Sequence, residues 1–206
     1  MSHTLHRSGS RESLSKDYVI LIMPENGLND ENSKERLLKC FDILMKANPV
    51  NMGDSKNGSR FSLGSDELVK QAIEEKETIF AVYQCEEDLV QVLRELKEAD
   101  TGLSVVVSGL FDHTCKCAAD AGLKPHTCAE SLGIYGNKSK LPEGEILDIS
   151  VMCGHGLISF NLVSELVNQV KAGQITAAKA AEKLAACCIC GVFNPVRAEE
   201  IIRSMM

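Results

Sequence analysis

Tyr18, Val19, Ile20, Leu21, Ile22 and Met23 form a continuous apolar run stopped by Pro24. A run without alternation predicts a strand buried on both faces. Leu37, Leu38, Phe41, Ile43, Leu44 and Met45 then recur at helical spacing. Asn32 and Glu35 stand before them in capping-box order, predicting an amphipathic helix to about residue 47. Residues 60–63 read as a short strand, and Ser65 caps a helix to about residue 76. Residues 78–83 and 103–107 repeat the strand signal around a helix over 86–99 with an acidic first turn.

This rhythm predicts an α/β fold with a mostly parallel sheet flanked by helices. The element lengths also permit a ferredoxin-like split βαβ arrangement. A helix is expected from residue 112 to Gly122, and 132–136 and 146–151 are the last strand candidates. Beyond Gly156 the pattern is helical: one helix ends at Gly173, a second is capped by Thr176, and a third opens with Asn194 and Pro195. Residues 1–17 lack a core pattern and read as a disordered tail. Residues 18–150 form the α/β domain, and 151–206 form a helical C-terminal segment packed on it.

Composition narrows the classes of function. Of 206 residues, 44% are hydrophobic and 25% charged, as in an ordinary globular domain. The net charge of −7, the absence of Trp and the lack of Lys/Arg clusters argue against a nucleic-acid partner. No apolar run approaches the roughly 20 residues of a membrane span. No apolar segment of the secretory type opens the chain. Nine cysteines without such a segment predict a reducing, cytoplasmic setting, and the odd count excludes complete disulfide pairing within the chain.

Two segments carry the candidate chemistry. In the first, Cys153 and His155 lie between and beside Gly154 and Gly156, read as a strand running into a helix. Side chains two apart on a strand point the same way, so this thiol and imidazole are expected to project together. The glycines let the backbone approach a ligand. The second segment ends a helix with Cys187, Cys188 and Cys190. On a helix 187 and 190 share a face while 188 lies about 100° away.

Together these residues predict a metal site with ligands among Cys153, His155, Cys187, Cys188 and Cys190, holding an iron-sulfur cluster or zinc. The function expected is redox or electron transfer with a redox partner protein. A metal-free alternative makes Cys153 a nucleophile with His155, or preferably His126, as base and Gly154 and Gly156 shaping the pocket. A third reading is a non-catalytic regulatory module that binds an unidentified small molecule, its cysteines being core. His113, Cys115, Cys117 and Cys128 are second-tier candidates. The alanine- and cysteine-rich helix suits close contact with a second copy of the chain, a homo-oligomer.

Overall fold

The computed structural model describes residues 3–142 and 144–206; Met1 and Ser2, within the expected tail, and Glu143 lie outside the described residues. After a 3-10 turn at His3–His6 come α1 (Arg11–Leu14), β1 (Tyr18–Met23), α2 (Ser33–Lys46), β2 (Asn51–Asp54), α3 (Arg60–Leu63), α4 (Asp66–Ala72) and β3 (Ile79–Tyr83). There follow α5 (Glu86–Ala99), β4 (Ser104–Ser108), α6 (Phe111–Asp120), a 3-10 turn at Lys138–Lys140, α7 (Glu145–Ser150), α8 (Phe160–Lys171), α9 (Ala177–Cys187) and α10 (Pro195–Ser204).

Among the described residues the strands form one four-stranded sheet in the order β2-β3-β1-β4. Every neighbouring pair is antiparallel, with Ile20 opposite Ala81 on β3 and Val107 on β4, and Met52 of β2 opposite Ala81. The mostly parallel sheet expected from the strand-helix rhythm is therefore corrected. The crossovers do return the chain in parallel, β1 to β2 through α2 and β3 to β4 through α5. However, β3 lies between β1 and β2, and β1 lies between β3 and β4. Alternating elements reveal crossovers, not which strands become neighbours.

The apolar run in β1 is explained by helices on both faces of this sheet. Val19 and Leu21, with Phe80 and Val82 of β3, pack against side chains from α7 to α10. Tyr18, Ile20 and Ile22, with Ile79, Ala81 and Tyr83, pack against α2 and α5 through Leu37, Phe41, Leu44, Leu89 and Leu93. Continuous apolarity thus reports two-sided burial whichever way the neighbours run.

Three local expectations are also corrected. Residues 60–63 form a single helical turn, closed by a reciprocal Ser59–Ser62 capping box and ended by Gly64 at φ 98°. Residues 146–151 lie almost wholly within α7 rather than a strand, and 132–136 are exposed without regular structure. Short apolar runs carry too few periods to separate helix from strand. Asn32 does precede α2, but in the left-handed region and without a side-chain cap bond. Among the described residues no helix is long and apolar enough to cross a membrane.

From His3 the N-terminal segment, expected as a tail, is packed. Thr4 is buried and its hydroxyl lies 2.7 Å from Ser108 Oγ. An ion cluster then fixes the segment to α10. Arg197, with no exposed surface, donates from Nη1 to Asp17 Oδ2 at 2.9 Å, from Nε to Ser13 Oγ at 2.9 Å, and from Nη2 to the Ser8 carbonyl. Arg7 pairs with the same Asp17 oxygen at 3.1 Å and donates to the Val192 carbonyl. Asn194 donates to Asp17 Oδ1 at 3.2 Å and to the Lys16 carbonyl at 3.0 Å.

Removing one member of a buried ion cluster leaves an unmatched charge and costs about 3–5 kcal/mol. Asp17→Ala is expected to lower unfolding stability by that order in urea titration. Glu200→Ala removes only the exposed pair with Lys16 and should move the midpoint by a small fraction of it.

Candidate metal centre

The first candidate segment is a connection between helices, not a strand end. α7 stops at Ser150, and Ser159 caps α8 by accepting from the Leu162 amide at 3.2 Å. Between them Gly154 and Gly156 take φ of 70° and 71°, a left-handed geometry natural to glycine. The common direction predicted for Cys153 and His155 on a strand is therefore not formed. Cys153 points into the core with no exposed surface, while His155 is exposed.

In the second segment α9 ends at Cys187, and Cys188 is its cap residue in extended conformation. The chain then turns, the Gly191 amide donating to the Cys188 carbonyl at 3.3 Å. This turn lies on β2: a Cβ on Gly191, at φ 76°, would come within 2.5 Å of the Met52 carbonyl carbon. A Cβ on Gly53 would stand 2.8 Å from the Cys190 carbonyl oxygen. Unwinding brings Cys188 and Cys190 together at 3.9 Å between sulfurs. The facing pair is therefore 188 and 190, not 187 and 190. Cys187, half-buried, faces the Lys183 carbonyl 3.5 Å away.

His3, which sequence reasoning left in the tail, completes the constellation. Its carbonyl rests on Gly154, where a Cβ would lie 1.9 Å away. Its ring stacks on His155 with centroids 4.2 Å apart and meets Phe80 edge-on at 5.6 Å. One nitrogen or sulfur from each of His3, His155 and Cys190 lies within 4.8 Å of the others, Cys190 Sγ standing 3.7 Å from His155 Nδ1. His3 Nε2 is buried without a hydrogen-bond partner. No periodicity marks His3, because its position depends on contacts with residues 154 and 155.

The electrostatics separate the three thiols. The hydrogen bond with Cys188 holds the Cys190 thiol below its usual range despite burial, and the Val192 amide assists. At Cys188 the hydrogen bond with Cys153 pulls downward, but the bond with Cys190 and burial outweigh it and push the thiol up to about 12. The bond with Cys188, and then burial, push the Cys153 thiol well up. A protonated, fully buried Cys153 is poorly prepared as a nucleophile. Burial, and then the charge of Arg7, lowers His3 and favours the neutral imidazole that binds metals.

The remaining candidates lie elsewhere. His126 and Cys128 are exposed on the irregular stretch after α6. His113 Nδ1 lies 2.8 Å from Tyr18 Oη and 2.7 Å from Glu86 Oε1. Cys117 is buried in the core on the opposite sheet face, and Cys115 is half-buried. An open cleft of about 510 Å³ borders the glycine turn, lined in part by His6, Val151, Gly154, Gly156, Ser159 and Asn161.

Gly154 and Gly156 provide an internal comparison, since their φ values match but a Cβ on Gly156 would meet nothing within 4 Å. Gly156→Ala is expected to cost the left-handed penalty alone, about 1–2 kcal/mol in urea unfolding. Gly154→Ala adds displacement of His3 and should cost clearly more. No protein-family model, no curated protein and no solved structure matches this chain.

Proposed function

We propose that this chain is a metal-binding protein whose centre is a single zinc-type ion held by His3, His155 and Cys190. The observation that carries this reading is the convergence of two imidazoles and one thiol from three distant segments within 4.8 Å. Zinc bonds of about 2.0–2.1 Å to nitrogen and 2.3 Å to sulfur make a tetrahedral nitrogen–sulfur edge about 3.5 Å long. The 3.7 Å between Cys190 and His155 is close to that edge. The unpartnered His3 nitrogen and the lowered Cys190 thiol support it further.

A mixed nitrogen and sulfur donor set suits zinc or a neighbouring transition metal rather than magnesium or calcium. A single ion fits better than an iron-sulfur cluster, which is held by several cysteine thiolates, since the converging donor set has two imidazoles and one thiol. Three protein ligands leave a fourth position for water or a small ligand, the arrangement of reactive rather than structural zinc. His155 is exposed and its flanking glycines line the cleft, so solvent reaches this side of the site.

Cobalt(II) titration of the full chain provides the test. Uptake of one equivalent with a thiolate-to-cobalt absorption band is expected. Loss of a supporting contact commonly weakens metal binding about 10- to 100-fold, so His3→Ala, His155→Ala and Cys190→Ser should each cost at least that. Cys115→Ser and Cys128→Ser should leave affinity unchanged. Absence of the band, or equal affinity in all five variants, would overturn the proposal.

A further inference from the structure

We infer that Cys188 and Cys190 form an oxidisable dithiol through which a hydroperoxide-type oxidant releases the ion; this rests on the metal-site reading above. Cys190 is the only thiol in the three-residue donor set, and Cys188 stands beside it without belonging to that set. Both are free thiols, with sulfurs 3.9 Å apart. Disulfide formation requires closure to about 2.05 Å. The pair lies in the turn after α9, outside every helix and sheet ladder and packed by its backbone on β2, so the closure falls to rotation of the two cysteine side chains about their Cα–Cβ bonds. A disulfide between residues two apart closes a small ring, and strained disulfides are readily reduced again.

The reaction balances with one oxidant. The Cys190 thiolate and the Cys188 thiol give up two electrons and form the S–S bond, Cys188 losing its proton. The O–O bond of the hydroperoxide breaks and accepts those electrons. With the Cys188 proton and one from solvent it leaves as an alcohol and a water, or as two waters from hydrogen peroxide. Cys190, now a disulfide sulfur, no longer ligates as a thiolate. The two histidines alone hold the ion weakly, and it dissociates.

The experiment treats the zinc-loaded full chain with hydrogen peroxide and follows zinc release with a chromogenic chelator. Peptide mass spectrometry in a Cys187→Ser background locates the disulfide. Zinc release in step with loss of two hydrogens from the peptide carrying Cys188 and Cys190, reversed by dithiothreitol and fresh zinc, is the expected result. Cys188→Ser, loaded with zinc at saturation, should release it at least about tenfold more slowly under oxidant than the unsubstituted chain, each rate being corrected for that chain's release without oxidant, since the partner thiol is gone. Cys188→Ala repeats the comparison without a buried hydroxyl. Release from both variants at the unsubstituted rate, a disulfide to Cys153 instead, or zinc retained after the 188–190 bond has formed would each overturn the switch while leaving the metal site standing. A chain that takes up no zinc overturns the site and the switch with it.

Discussion

The buried contact between Arg197 and Asp17 is the constraint on which the candidate site depends. A guanidinium with no exposed surface needs partners for its donors, and Asp17, Ser13 and the Ser8 carbonyl provide them. All three belong to the segment before β1. Satisfying a charge on the last helix therefore lays the first residues across the C-terminal layer and carries His3 toward Gly154. Arg7 extends this attachment to Val192, beside the Cys190 turn. Burial lowers the Arg197 pKa while Asp17 opposes the shift, so the ion pair offsets the cost of taking the charge out of water.

Backbone proximity provides the second constraint. Gly53 and Gly191 let β2 and the cysteine turn approach until neither has room for a side chain, and Gly154 does the same for His3. The sheet edge, the end of α9 and the α7–α8 connection thus meet through main chain as well as side chains. Contacts of this kind fix position more tightly than flexible side chains can, which is what a three-ligand site requires.

Much of the secondary structure was legible in the sequence because its signals are local. The apolar run at 18–23 and the helical spacing of apolar residues in α2 describe burial directly. The Thr176 and Asn194 caps form the predicted bonds, accepting from the Lys179 and Arg197 amides. Strand direction was not legible, because the same alternation of elements accommodates a strand inserted between two parallel ones. At the site, Cys153, His155, Cys188 and Cys190 stood out by residue type, but their geometry was misread. Gly154 and Gly156 made a turn between helices where a strand was expected, and the end of α9 at Cys187 turned Cys188 toward Cys190. His3 could not be found, since its position depends on contacts with Gly154 and His155, far along the chain, in a segment anchored by an ion pair between residues 180 positions apart.

The wide sequence separation of His3, His155 and Cys190 also orders events in time. During synthesis His3 leaves the ribosome well before Cys190, with the sheet and most helices made in between. No early fragment can assemble the three donors, however well its own sheet has formed. The constellation is therefore a late product of folding, and an ion scavenged prematurely by one exposed thiol would lack the two imidazoles needed to retain it.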